Sequence, residues 1–116
     1  MRKIEQAMVN ALTNRRGMSR SNTAVAWGID PSTDEQVAHV YLHGNLIGEY
    51  HPEAGELHLR DAGWQTVTTK SRLNALLRGL NTGFTIYQRD YQWYVSDESG
   101  AYRWNVRPNQ FATHVA

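Results

Sequence analysis

The stretch from Gln36 to Leu77 constrains the fold of this chain most strongly. Its first part alternates apolar and polar residues in short runs bounded by turn residues, which is typical of antiparallel strands. After Trp64 the pattern changes to leucines spaced three and four residues apart, which is typical of an amphipathic helix. A sheet with a helix packed on it is therefore the minimum architecture that we expect.

The alternating runs in the first part of this stretch predict a hairpin followed by a further strand. Gly44 and Asn45 are typical of a two-residue hairpin link. With that link, Tyr41 lies opposite Gly48, and residues 56 to 60 form the next strand. The side chains expected on the buried face are His39, Tyr41, His43, Leu46, Tyr50, Leu57 and Leu59.

Apolar residues that recur every four positions predict a short helix at the start of the chain. It extends from Ile4 to Leu12, and the sequence Arg15, Arg16 and Gly17 indicates its end. A loop is expected from Ser19 to Asn22.

A second helix is expected to begin after Thr68 or Thr69, because either hydroxyl can cap the free amides of a first helical turn. Its start also presents Lys70, and such an arrangement can hold an anion. Trp64, just before the helix, is predicted to anchor the helix to the sheet in the core. The apolar stripe that we expect against the sheet consists of Leu73, Leu76, Leu77 and Leu80.

The last third of the chain predicts three more strands, with turns at Arg89-Asp90 and at residues 97 to 100. Their alternation separates an apolar side from a polar side. The apolar side, expected in the core, carries Phe84, Ile86, Trp93, Val95, Tyr102 and Trp104. The polar side carries Thr85, Tyr87, Gln92, Tyr94, Arg103 and Asn105. Two tyrosines and an arginine are therefore expected on an open sheet face.

These patterns predict an α+β fold: an antiparallel sheet of about five to seven short strands with an N-terminal helix and one central helix packed on the sheet. The length of 116 residues and the apolar content of 41% fit a single domain over residues 1–116. Residues 1–20 are expected to form a basic helix and loop, and residues 107–116 a weakly structured tail. Without cysteine there is no disulfide and no thiolate. No run resembles a secretory signal or a membrane span.

Charge is segregated along the chain although the net charge is only +1. Residues 1–20 carry five basic residues against one acid, and residues 60–89 repeat that balance. Between them, residues 21–59 carry six acids and no lysine or arginine. Ten of the twelve basic residues are arginine, whose planar guanidinium suits carboxylate and phosphate groups. The pattern favours contact with a charged partner.

Three runs form a more specific signal: Val40 to Ile47, Gly63 to Leu77, and Tyr87-Gln88 ahead of Gln92 to Val95. The string Trp-x-Thr-x-Thr-Thr-x-x-Arg-Leu-Asn-Ala in the second run has eight defined positions in twelve. With these runs, about residues 36–95 resemble a family of short, functionally unassigned proteins encoded by tailed bacteriophages. The resemblance implies a viral gene product that acts in the host cytoplasm or in the particle. It implies no activity and no functional residues.

No catalytic constellation and no glycine-rich phosphate loop is recognisable, so we expect a protein without enzymatic activity and without a cofactor. His39, His43, His51 and His58 lie close together in sequence, and Glu49 is expected opposite His58. At roughly 3.3 Å per residue, however, His39 and His43 are about 13 Å apart on one strand, too far to share one ion. We therefore interpret the histidines as structural side chains of the strands rather than as metal ligands.

Two binding functions are compatible with these features. In the favoured one, the protein binds a host protein such as a transcription or defence component, and its segregated charge steers docking. In the other, basic residues contact the phosphates of single-stranded or duplex nucleic acid while tyrosines stack on bases. A role in the virion is a third alternative. The candidate binding residues are Arg15, Arg16, Thr68, Thr69, Lys70, Arg72, Arg78, Tyr87, Tyr94 and Arg103.

Overall fold

The computed structural model describes residues 1–116 and contains two helices and nine strands. The helices are α1 (Lys3–Thr13) and α2 (Val67–Gly79). The strands are β1 (Met18–Arg20), β2 (Thr23–Ile29), β3 (Gln36–Leu42), β4 (Asn45–His51), β5 (Glu56–Leu59), β6 (Thr85–Arg89), β7 (Gln92–Asp97), β8 (Gly100–Arg103) and β9 (Ala112–Val115). The predicted α+β class, with antiparallel strands, an N-terminal helix and a central helix, is confirmed. The strands form two sheets, ordered β1-β2-β3-β4-β5-β9 and β6-β7-β8.

The two edges of the larger sheet, β1 and β9, lie where the sequence predicted irregular structure. The loop expected from Ser19 to Asn22 is wrong for Ser19 and Arg20, which belong to β1 and pair with β2. The tail expected to be weakly structured contains β9, which pairs with β5 along its length. Neither β1 nor β9 shows an apolar alternation that would mark a strand in the sequence, and the neighbouring strand stabilises each of them by pairing.

The predicted register of the β3–β4 hairpin is wrong. The turn consists of His43 and Gly44, whose φ angles of 51° and 78° suit a tight hairpin, and a bulge then skips Ile47. Val40 rather than Tyr41 therefore lies opposite Gly48. Because the two faces of a strand alternate, this shift places Val40 in the core and leaves Tyr41 only partly buried. The side chains that this strand contributes to the main core cluster are Ala38, Val40 and Leu42, rather than His39, Tyr41 and His43.

The leucine stripe of α2 is buried against the larger sheet, as predicted. Two glycines make the close approach possible. A Cβ at Gly48 would lie 3.4 Å from a methyl group of Leu76, and a Cβ at Gly79 would lie 2.6 Å from both methyl groups of Val9 on α1. The helix begins at Val67, slightly earlier than expected, because Thr66 supplies the cap.

In the smaller sheet, the predicted turn at Arg89-Asp90 is wrong. Arg89 pairs with Gln92, and the turn consists of Asp90 and Tyr91, which both have positive φ angles.

The smaller sheet places its apolar side in the core, as predicted. Trp93 and Trp104 are 2% and 7% exposed, and Ile86 and Val95 are buried beside them. Tyr102 is the exception, with 55% of its surface exposed. Because α2 packs over β6 at the opposite edge of this sheet, β8 is left uncovered.

A buried ion pair joins α1 to α2. Arg72 Nη1 donates to Glu5 Oε2 at 2.9 Å, and both side chains are about 4% exposed. The same guanidinium donates from Nε to Thr23 Oγ1 at 3.0 Å and from Nη2 to Asn22 Oδ1 at 3.2 Å. Ser71 Oγ adds a 2.6 Å hydrogen bond to Glu5 Oε2. The expectation that Arg72 is a surface phosphate contact is therefore wrong, because its donors are used within the fold.

The hydrogen bonds of this network control the ionisation of Glu5. Burial by itself raises the pKa of a carboxyl group, but the hydrogen bonds from Ser71 and Arg72 outweigh burial and hold the pKa of Glu5 below its ordinary value of 4.5. A depressed native pKa means that the unfolded state binds the proton more readily. The contribution of Glu5 to stability is therefore complete above about pH 4.5 and is lost as the pH falls through the native pKa.

Replacing Arg72 with methionine is expected to lower the free energy of unfolding by about 3–5 kcal/mol, because Glu5 is left as an unpaired buried carboxylate. Denaturant unfolding at neutral pH, followed by circular dichroism, measures the change. Arg78→Met, at an exposed position of the same helix, is the matched control and is expected to stay within about 0.5 kcal/mol of wild type. Equal effects of the two substitutions would contradict the structural role of Arg72.

Candidate functional site

A cleft of about 540 Å³ opens at the start of α2. It lies between the turn that joins β3 to β4 and the loop that leads into the helix. Leu42 and Ile47 contribute its apolar lining, and His43 and Asn45 line it from the turn. The helix side contributes Trp64, Thr66, Thr68 and Thr69. Concave sites lined by apolar groups with a few polar ones are the usual places for binding.

The loop beside the cleft is held in place by Asp61, which is only 3% exposed. Its carboxylate accepts hydrogen bonds from Gly63 N at 2.8 Å, Gln65 Nε2 at 3.0 Å and Trp104 Nε1 at 3.1 Å. Ala62 and Gly63 both adopt positive φ angles, 56° and 88°, which turn the chain sharply. Three donors on one buried carboxylate make this loop a fixed structure rather than an adaptable one.

The loop directs Trp64 outward, so that 59% of its surface is exposed at the cleft. The prediction that Trp64 is a core anchor is wrong. Trp104 occupies the buried position instead and binds Asp61 through its indole N–H. The sequence signal for this outcome was the Asp-Ala-Gly string before Trp64, which is typical of a side-chain-stabilised turn. Val67, on the first turn of α2, is also highly exposed, at 69%.

The threonines at the helix start are mainly structural. Thr66 Oγ1 accepts from Thr69 N at 3.1 Å and lies 3.0 Å from Thr69 Oγ1, so it caps the helix. Thr69 is buried, whereas Thr68 and Lys70 are partly exposed. Since Arg72 belongs to the buried ion pair, the predicted anion-binding group is reduced to Thr68 and Lys70.

The other predicted basic residues contact different parts of the fold. Arg15 forms a 3.0 Å ion pair with Glu53, beyond the end of β4, and donates to Gln36 at 2.7 Å. Arg16 has an exposed side chain, and its backbone oxygen accepts from the Trp27 indole at 3.0 Å. The structure therefore ties Arg15 to the acidic middle segment of the chain instead of joining it to the cleft.

The outer face of the smaller sheet carries the predicted tyrosines. Tyr87 and Tyr94 are cross-strand partners, and their rings stack with centroids 5.5 Å apart and planes 17° from parallel. Arg103 is the partner of Tyr94 on the next strand, and its Nη2 donates to Gln92 Oε1 at 2.6 Å. The structure thus brings together these three of the predicted binding residues. Arg78 lies elsewhere, in a shallow depression beside Phe84 and Thr85.

The histidines of the larger sheet lie along its outer face. His39 and His51 both approach Glu49, at 4.0 and 3.3 Å, and Glu49 pairs with His58 as predicted. The rings of His51 and His58 are 4.9 Å apart. No group of three or more histidine or carboxylate side chains has the geometry to hold a metal ion. His43 is separate from this row and lines the cleft.

One histidine that the sequence analysis did not single out is buried. His114 on β9 is 3% exposed, neither ring nitrogen has a hydrogen-bond partner, and the ring packs on Phe84 at 4.8 Å. Burial lowers the pKa of His114 below its ordinary value of 6.5, and the charge of His58 lowers it further. The folded state therefore favours the neutral form of the His114 ring.

Acidification is expected to weaken the attachment of β9. Because the pKa of His114 is lowered by folding, its contribution is complete above about pH 6.5 and is lost as the pH falls through the native pKa. The free energy of unfolding of the wild type should therefore be lower at pH 5.5 than at pH 7.5. In His114→Leu, the part of this decrease that His114 causes should disappear. Val115→Ala, an exposed neighbour, is the control and should keep the decline. An unchanged decline in His114→Leu would show that other groups cause it.

Neither helix is long and apolar enough to cross a membrane. Comparison with known families finds a match to the family described as Kyanoviridae Gp96 protein, over residues 1–114. This match confirms the predicted resemblance to phage proteins and extends it to the N-terminal helix and most of the tail. No curated protein and no solved structure matches the chain.

Proposed function

Because the chain belongs to the Kyanoviridae Gp96 family of phage proteins, we propose that it is a non-enzymatic accessory protein that binds a host protein at the cleft beside Trp64. The observation that carries the proposal is an exposed indole at the rim of a cleft, on a loop whose backbone is fixed by a buried hydrogen-bond network. Tryptophan is among the residues most often found at the energetic centre of protein interfaces.

Preorganisation supports a binding role for this tryptophan. An exposed indole on a mobile loop loses conformational freedom when a partner binds, and that loss reduces affinity. Here the turn at Ala62 and Gly63 and the hydrogen bonds to Asp61 fix the loop before any partner arrives. Trp64 can therefore bury its ring without a large entropic cost.

The lining of the cleft suggests the chemistry of the partner. The carboxylate of Asp61 is fully engaged inside the fold, so it offers no free charge to a ligand. Leu42 and Ile47 form the floor of the cleft but are only 4% and 1% exposed, so the apolar surface offered to a partner is mainly the Trp64 indole. Thr68 offers a hydroxyl group at the edge. This combination fits an apolar or aromatic side chain that projects from a folded partner and is surrounded by a polar rim.

The proposal places the protein in the host cytoplasm, where a host partner is available. The same cleft also fits an apolar side chain of a structural phage protein, as the virion alternative requires. Mass spectrometry of purified particles separates the two. Stoichiometric recovery of the protein in particles would favour the virion alternative over a host target.

Trp64→Ala is expected to abolish recovery of the partner when a tagged protein is purified from nuclease-treated host lysate. With the purified partner, the dissociation constant should rise about 30-fold, which corresponds to a hot-spot loss of about 2 kcal/mol. The fold should be unaffected, because Trp64 lies outside the core. Isothermal titration calorimetry measures the affinity, and circular dichroism checks the fold.

Tyr102→Ala is the matched control, because Tyr102 is an aromatic residue of similar exposure and lies on the smaller sheet, away from the cleft. It should retain the partner with unchanged affinity. Retention of the same partner by Trp64→Ala, or equal loss in both variants, would remove the cleft as the binding site.

A further inference from the structure

The outer face of the smaller sheet has a distinct composition. The strand pairings align Tyr87, Tyr94 and Arg103 in one row across β6, β7 and β8, and Arg89 and Gln92 form the next row. The remaining positions on this face are threonine, serine and alanine. The face therefore carries two arginines and two tyrosines and no carboxylate.

The acids of this region, Asp90, Asp97 and Glu98, lie at the two hairpin turns. Asp97 lies at the turn between β7 and β8, where its carboxylate accepts from both the backbone N–H and the hydroxyl of Ser99, at 2.9 and 2.7 Å. These hydrogen bonds lower its pKa, so it stays ionised within its own turn. Asp90 lies in the other hairpin turn. No carboxylate therefore lies within the tyrosine row, and the charged side chain of that row is Arg103.

The two tyrosines form a ready stacking surface. With centroids 5.5 Å apart and planes 17° from parallel, each ring covers one face of the other, and both are only partly buried. Arg103 is held beside them by its 2.6 Å hydrogen bond to Gln92, which leaves its other guanidinium donors available. Aromatic rings next to arginine side chains on an open antiparallel sheet match what unpaired bases and their phosphates require.

We propose that this face binds single-stranded nucleic acid, with bases stacking on Tyr87 and Tyr94 and phosphates contacting Arg89 and Arg103. The inference is independent of the proposed function, because the cleft at Trp64 is built from other elements. The two arginines and the absence of a carboxylate on the face match the phosphate charge of nucleic acid. The pairing edges of duplex bases are occupied and their rings are stacked, so the site requires single strands.

Fluorescence anisotropy with a labelled twelve-nucleotide deoxythymidine oligomer, and with the matching uridine oligomer, tests the proposal on the full chain. Two phosphate contacts predict micromolar binding at low salt and a slope of about −1.4 in a plot of log affinity against log salt concentration. Tyr94→Ala should weaken binding about 5- to 150-fold, the range that corresponds to loss of about 1–3 kcal/mol for one stacked base. Tyr94→Phe should restore it, because phenylalanine keeps the ring. Arg103→Gln should reduce the slope by about 0.7.

Two controls locate the site. Tyr102→Ala changes an exposed tyrosine at the edge strand of the same sheet, and Trp64→Ala changes the cleft; both should bind like wild type. No binding of either oligomer at low salt, equal affinity for duplex DNA, or equal losses in Tyr94→Phe and Tyr94→Ala would overturn the proposal. Since Arg103 is exposed, an unchanged slope in Arg103→Gln would overturn it even if Tyr94→Ala failed to fold.

Discussion

The buried contact between Glu5 and Arg72 connects elements that are far apart in the chain. Its hydrogen bonds join the start of α1, the middle of α2 and the beginning of β2 at one point. A buried charge is tolerated only when its partner and its remaining donors are satisfied, so the arrangement allows one relative position of these elements. The leucines of α2 and the close approach of the helices at Gly79 both require that position.

Fixing α2 in this way also determines which surfaces remain for binding. One end of the helix forms a side of the cleft, and the loop before it directs Trp64 into solvent. The body of the helix packs on β6 and leaves β8 uncovered. The tyrosine row lies on the outer face of this same sheet. The two candidate surfaces thus arise from one packing arrangement, but they offer different chemistry. One is an exposed indole beside a cleft, and the other is a pair of tyrosines with positively charged arginines beside them.

Local patterns in the sequence identified most elements and part of the candidate surfaces. The leucine stripe of α2 and the apolar side around Trp93 were predictable because burial of one face imposes a regular period on the sequence. The same period predicted that Tyr87, Tyr94 and Arg103 share the opposite face. Features without a period were not predictable: the short edge strands β1 and β9, the bulge at Ile47, and the unpartnered burial of His114.

The sequence and the tertiary structure determined different features of this protein. The sequence by itself determined the class of fold, the helix face that is buried and the sheet face that carries Tyr87, Tyr94 and Arg103, because hydrophobic periodicity is a local property that each segment carries alone. Only the tertiary structure decided that Arg72 is used internally, that Trp64 is exposed while Trp104 is buried, and that Val40 rather than Tyr41 faces the core. These outcomes depend on which distant group offers a charge, a hydrogen-bond acceptor or a free volume, and such groups become neighbours only when the chain has folded.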